Sequence, residues 1–276
     1  MSTTSDLDSK SRRLGDILSG ADSVIVAFSG GVDSAYLAWA ATQALGPAAL
    51  CVTADSPSYP DHHRRLALDV ERRFGLNHRI VHTRELEQPE YRANPVNRCY
   101  YCKHELYTVL TELARASSVS MIVDGSNADD RGDYRPGRQA AREFGVRSPL
   151  DEAGLTKSEI RELSHRADLP TWDEPASACL SSRIPYLSDV TNEKLRMIER
   201  AEEAVRGLGF RICRVRHHDD HARVEIGPSE LERAFEPDVH ERLITELMAL
   251  GYERVTIDPR GYRQGSLNEG LRLRPV

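Results

Sequence analysis

Five consecutive apolar residues, Val24-Ile25-Val26-Ala27-Phe28, rich in β-branched types, have the pattern of a parallel strand buried on both faces. The run stops at Ser29-Gly30-Gly31. Behind Asp33 and Ser34 an apolar helix opens through Ala35, Leu37, Ala38 and Ala41. Around this centre the pattern predicts a short amphipathic helix over 11–18 and strands over 48–53, 78–82 and 121–123. It also predicts helices over 62–74, 104–114, 139–144 and 156–167. Leu66, Val70 and Phe74 share one helix face, and Thr156 and Glu159 have the spacing of a capping box. Strands alternating with helices predict an α/β fold with a parallel sheet, whose ligands lie beyond the C-terminal ends of the strands. Ser29, Asp55 and Gly125 all fall at that edge, where their loops can share one nucleotide.

The pattern changes after residue 170. A polar, proline-containing segment over 171–190 reads as a linker, and it carries Cys179. Beyond it, Leu195, Ile198, Ala201 and Val205 keep helical register within a helix over 191–208. Alternating stretches over 211–216 and 221–226, separated by Asp219-Asp220, predict a hairpin. Helices over 230–235 and 239–250 and a closing strand over 254–257 complete a small α+β domain. The expected organisation is therefore a parallel-sheet domain over 1–170, the linker, and a C-terminal α+β domain over 191–276.

Composition narrows the class. The 276 residues are 39% hydrophobic and 29% charged, as in a folded protein of one large or two small domains. A net charge of −6 argues against nonspecific nucleic-acid binding. No apolar run is long enough to span a bilayer, and the polar start over 1–10 lacks a signal-peptide core, so a cytoplasmic location is expected. In that setting five cysteines predict reduced thiols rather than a disulfide framework.

Three groups of residues carry candidate chemistry. The glycine turn at a helix N-terminus offers unpaired N–H groups and a positive dipole end to a phosphate. Asp33 beside it implies a divalent cation, because a carboxylate repels naked phosphate. Cys99 and Cys102, in Arg98-Cys99-Tyr100-Tyr101-Cys102-Lys103, have the spacing of two ligands to one metal centre. Cys179 lies among small residues and is accessible, whereas Cys51 and Cys213 sit in strands and read as core. Three usable thiolates suit an iron–sulfur cluster with one open iron; a partial zinc site or unlinked thiols fit the spacing as well. Arg214, Arg216 and Arg223 alternate with Val215 and Val224, so one face of the hairpin is basic: it either binds a substrate phosphate or is a solvated face paired with Glu225. The histidines at 217, 218 and 221 read as exposed turn residues.

Ser29-Gly30-Gly31-Val32-Asp33-Ser34 behind a buried strand resembles the PP-loop of ATP pyrophosphatases, which cleave ATP between the α- and β-phosphates. With Arg98–Lys103, Asp124–Asp130, Asp133–Gly137, Ser148–Leu150, Pro175–Pro185, Arg214–His217 and Gly261–Arg263, the resemblance extends over nearly the whole chain and is to the LarE family. It implies a PP-loop (adenine nucleotide alpha hydrolase-like) domain and an ATP-dependent sulfur transferase. The implied substrate is a pyridinium biscarboxylic acid mononucleotide, whose carboxylates become thiocarboxylates on the way to a nickel-pincer nucleotide. The implied ATP site is Ala27, Ser29, Gly30, Gly31, Asp33, Ser34, Asp55 and Gly125, with Mg²⁺ on Asp33. Arg214, Arg216 and Arg263 are implied to hold the substrate phosphate. Cys99, Cys102 and Cys179 fit the branch of the family that holds a 4Fe–4S cluster; in the other branch the residue matching Cys179 gives up its own sulfur. The family further implies a homo-oligomer. A tRNA thiolase shares the PP-loop, but such enzymes tend to be basic and to add RNA-binding modules. Ammonia-using synthetases would leave the three cysteines unexplained, and a regulatory nucleotide-binding module would release no pyrophosphate.

Overall fold

Every residue of Val24–Ala27 is buried, as a central strand with helices on both faces requires. The computed structural model describes residues 2–132, 135–176, 178–263 and 265–268. In chain order the elements are α1 (Ser2–Ser19), β1 (Val24–Ala27), α2 (Val32–Leu45), β2 (Ala49–Asp55), α3 (Asp61–Phe74), β3 (Asn77–His82), α4 (Pro89–Arg92), α5 (Arg98–Ala116), β4 (Met121–Val123), α6 (Gly137–Glu143), α7 (Pro149–Glu152), α8 (Lys157–Arg166), α9 (Asn192–Gly207), β5 (Cys213–His218), β6 (His221–Ile226), α10 (Pro237–Ala249) and β7 (Arg254–Ile257). They divide into two compact units, one of residues up to 85 with 97–174, the other of 86–96 with the described residues between 175 and 268.

In the first unit the sheet has the order β3-β2-β1-β4, all parallel. Its two faces follow the two-residue period of the strands. Val24, Val26 and Cys51 pack with Leu14, Leu18, Leu37 and Ile160 on one side. Ile25, Ala27 and Val52 pack with Tyr107, Leu110 and Ala140 on the other. From β1 the chain passes by α2 to β2 and by α3 to β3, then crosses by α5 to β4 on the opposite flank of β1. The direction of winding therefore reverses between β1 and β4, which opens a crevice beyond their C-terminal ends.

The helix expected over 230–235 is two 3₁₀ turns, Pro228–Glu230 and Glu232–Phe235, and two longer helices begin earlier than expected. α1 begins at Ser2 rather than at 11, because Leu7 joins Leu14 and Leu18 in the core and extends the apolar stripe. α5 begins at Arg98 rather than at 104. Once Tyr107, Leu110 and Ala114 anchor its buried face, each residue added upstream gains a hydrogen bond without a new nucleation cost. Cys99 and Cys102 thus lie inside the helix and not ahead of it.

The second unit is a three-stranded sheet of order β5-β6-β7, an antiparallel hairpin with β7 parallel to β6. Ala201 and Val205 of α9 and Leu243 and Leu247 of α10 cover one face. The segment 86–96 belongs here because its polar groups are satisfied here. Asn94 donates from Nδ2 to the Pro185 carbonyl at 2.7 Å, the Tyr91 hydroxyl meets Ser181 Oγ at 2.6 Å, and Val190 N–H donates to Arg92 O at 2.8 Å. The hairpin histidines need a correction. His217 lies in β5, is buried, and meets the Tyr252 hydroxyl at 3.0 Å. Burial, reinforced by Lys194, pushes its pKa down to about 4.

Candidate functional site

The Ser29–Ser34 loop sits at the β1 side of the crevice. Gly30 has φ +70°, and a Cβ there would come within 2.6 Å of the His63 carbonyl of α3, so the fold itself demands glycine at 30. Gly31 is different. Its φ of −81° suits any residue, and a Cβ would meet nothing nearer than Ser29 Oγ at 3.8 Å. Packing does not require glycine at 31; a missing side chain there keeps space open over the N-terminus of α2. No side chain caps that helix end, which leaves its first N–H groups available to an anion. Ser34 Oγ accepts from Ser29 N–H at 3.1 Å and donates to the Gly31 carbonyl at 3.1 Å, which closes the loop on itself. The Tyr59 hydroxyl donates to Ser29 O at 3.1 Å from the other side.

The β4 side of the crevice meets this loop closely. A Cβ on Gly125 would lie 3.0 Å from Ser34 N, so glycine permits the two loops to touch. Asp124 accepts from the Tyr107 hydroxyl at 2.8 Å and from Ser148 Oγ at 2.8 Å. Asp33 stands at the first turn of α2 with one oxygen 3.3 Å from Asn127 Nδ2 and the other 2.5 Å from Lys157 Nζ. Ala27 is the buried last residue of β1. Asp55, at the end of β2, is paired with Arg64 of α3 at 2.5 Å. Behind it, buried Glu85 accepts from Ser56 and Ser58 at 2.5 and 2.7 Å, an arrangement that no local pattern signals.

Cys99 is exposed and Cys102 half-buried, three positions apart in the first turns of α5 and therefore on one face. Cys102 also sits near the sheet edge. The Tyr107 phenol is raised well above its ordinary range by burial first, then by Asp124, and then by Cys102. Cys51 and Cys213 are buried, and burial pushes both thiols up to about 12, which disqualifies them as thiolate ligands. Among the described residues no three His, Cys, Asp or Glu side chains are grouped as a metal site.

Cys179 belongs to the second unit, and its loop is held by Arg183. This guanidinium is fully buried and donates to the carbonyls of Ala178 and Cys179 at 2.7 and 3.0 Å. Its other edge forms a fork on Glu202, at 2.8 and 3.0 Å. Glu202 is absent from the sequence expectations, although a carboxylate on the apolar face that carries Ile198 and Val205 is a signal that could have marked it. Beside it stand Arg206 and Arg214, while Arg216 and Arg223 on the hairpin pair with Glu225. Arg214 donates to Ala176 O at 2.5 Å and lies over the Tyr262 ring. Burial, followed by repulsion from Arg183, lowers its pKa. Arg216 donates to Glu225 at 2.8 Å and to Ser182 O at 2.9 Å. Arg263 donates to Gly261 O at 3.1 Å. The basic face is thus paired with Glu225, and at Arg214 and Arg216 it is buried rather than solvated.

No family model matches the chain. It is 33% identical over 249 residues to the pyridinium-3,5-bisthiocarboxylic acid mononucleotide synthase of Lactiplantibacillus plantarum, covering 90% of each chain. An uncharacterized protein of Synechocystis is 42% identical over 96% of this chain and 99% of its own. An uncharacterized protein of Methanocaldococcus jannaschii is 27% identical over 87% and 90% respectively. Among the described residues no helix is long and apolar enough to cross a membrane.

Proposed function

Since the chain belongs to the LarE family, we propose that it is an ATP-dependent sulfur transferase acting on a pyridinium biscarboxylic acid mononucleotide. The observation that carries the reading is the open space over Gly31 at the uncapped N-terminus of α2, with Asp33 in its first turn. In the proposed reaction a substrate carboxylate attacks the α-phosphorus of ATP. The bond to the bridging oxygen breaks, and its electron pair leaves with pyrophosphate. The N–H groups of the loop and of the first turn of α2 hold the phosphate charge throughout. Asp33 is a partly exposed hard oxygen donor beside the loop, which fits Mg²⁺. When bound there, the ion offsets the charge of the departing pyrophosphate. A sulfur nucleophile then displaces AMP from the acyl carbon.

The donor set also fits an iron–sulfur cluster: three accessible thiols, Cys99, Cys102 and Cys179, stand apart from two that burial keeps protonated. A cluster on these three would supply the sulfur. Arg214, Arg216 and Arg263 are proposed to hold the substrate phosphate, and the family's homo-oligomer is carried over in the same way.

Asp33→Asn tests the reading. The side chain is partly exposed, so the fold is expected to survive while most substrate-dependent pyrophosphate release is lost. Unchanged release from a folded variant would refute the ATP site. For the phosphate site the informative change is Arg216→Lys, which keeps a cation beside buried Glu225 but loses the planar fork. It is expected to raise KM for the pyridinium nucleotide about tenfold, the worth of one charge-assisted contact, with KM for ATP unmoved. An equal rise in both would return Arg216 to a structural role.

A further inference from the structure

Lys157 has no role in the proposed reaction, yet its Nζ lies 2.5 Å from Asp33 Oδ2. Its place is fixed from several directions. Thr156 and Glu159 form a complete capping box at the start of α8. The Lys157 N–H donates to Asp129 Oδ2 at 2.8 Å, and Asn127, two residues before Asp129, reaches the other oxygen of Asp33. The β4 loop thus ties together the N-terminal ends of α2 and α8. A lysine in this position opposes both helix dipoles. It is the first residue of α8, and its ammonium stands at the first turn of α2. Cations are disfavoured at helix N-termini, where anions are favoured. In the free protein the Asp33 carboxylate offsets that misfit. A polyphosphate over the loop would turn it into an asset, because the ammonium and the N–H groups of α2 would then act on the same anion.

Building on the ATP reading, we infer that Lys157 is a phosphate-contacting residue that exchanges Asp33 for the nucleotide's polyphosphate as Asp33 takes the divalent cation. The exchange is cheap. The Lys157 and Asp33 side chains are 31% and 24% exposed, and ion pairs with this much access to water contribute little. Before nucleotide arrives, the ammonium neutralises Asp33 and keeps a bare divalent cation off it. Nucleotide and cation therefore bind as a pair. The Ser29–Ser34 loop carries no lysine of its own; the cation comes from 124 positions further along the chain.

The test measures two affinities on the full chain, in wild type, Lys157→Met and Lys157→Arg. One is calorimetric binding of Mg·ATP; the other is binding of Mn²⁺ alone, followed by its electron paramagnetic resonance signal. Lys157→Met is expected to weaken Mg·ATP about tenfold and to tighten Mn²⁺ alone about tenfold, because one charge-assisted contact is lost and one repulsive charge removed. Lys157→Arg keeps the charge and is expected to stay within about threefold of wild type for both. Unchanged Mg·ATP affinity in a folded Lys157→Met protein would overturn the phosphate contact. Unchanged Mn²⁺ affinity would overturn the exchange. Failure of wild type to bind Mg·ATP would overturn the ATP reading and the phosphate contact with it, while the Mn²⁺ titration would still decide whether Lys157 guards Asp33.

Discussion

Cys99→Ala is expected to abolish sulfur transfer as completely as Cys179→Ala, while substrate-dependent pyrophosphate release continues in both. The expectation follows from ligand chemistry. A cluster that supplies the sulfur from three thiolates fails when any one is removed, and the two buried cysteines cannot replace it, since burial holds their thiols up to about 12. The fold is expected to tolerate both changes. Cys99 is exposed on α5, where alanine is the better helix former, and Cys179 is half-buried. The measurement is thiocarboxylate product by mass spectrometry, with iron and sulfide content of protein purified without oxygen. Should Cys99→Ala remain active while Cys179 of the wild type loses the mass of hydrogen sulfide after turnover, the sulfur comes from Cys179 itself and the cluster proposal falls.

The second large effect concerns stability. Arg183→Met is expected to destabilise the second unit by about 3–5 kcal/mol at neutral pH, the usual result of removing one partner of a buried ion pair. Both side chains of the Arg183–Glu202 pair are fully buried. The loss also has a pH signature. Burial by itself would raise the Glu202 pKa, but Arg183 outweighs it and holds the carboxyl down at about 2. A carboxylate depressed in the folded state contributes stability above its unfolded pKa, near 4.5, and that contribution is lost as pH falls toward 2. Wild type is therefore expected to lose stability over this range, and Arg183→Met to lose much less, so their urea midpoints converge in acid. A constant gap from pH 7 to pH 3 would show that packing, not the charge pair, carries the effect. Because Arg183 also holds the carbonyls of Ala178 and Cys179, the variant is expected to transfer sulfur more slowly even where it remains folded.

Short-range pattern was enough for the elements that are strongly apolar or strongly punctuated. β1 with its glycine turn, the capping box at Thr156 and the hairpin before β7 could each be read from a dozen residues. Helix ends were less legible. The start of α5 depends on what its far end packs against, and Leu7 joins the apolar stripe of α1 only because a core waits for it. His217 misled because a register two residues further along β5 carried it from the turn into the core.

The sequence by itself marked the candidate residues for the chemistry. Type and local spacing single out the Ser29–Ser34 turn, Asp33, the Cys99–Cys102 pair, Cys179 and the hairpin arginines, and only the resemblance to the family gives the cysteines and arginines an expected role. The tertiary structure decided their partners. Asp33 meets Lys157, 124 positions away, because winding reverses between β1 and β4 and brings the N-terminal ends of α2 and α8 to one crevice. Glu202 meets Arg183 because a helix and a 3₁₀ turn pack over the same sheet. Spacing reports only neighbours within a turn or along a strand. Which distant charges face one another is set by how the apolar faces close, and only the folded chain holds that information.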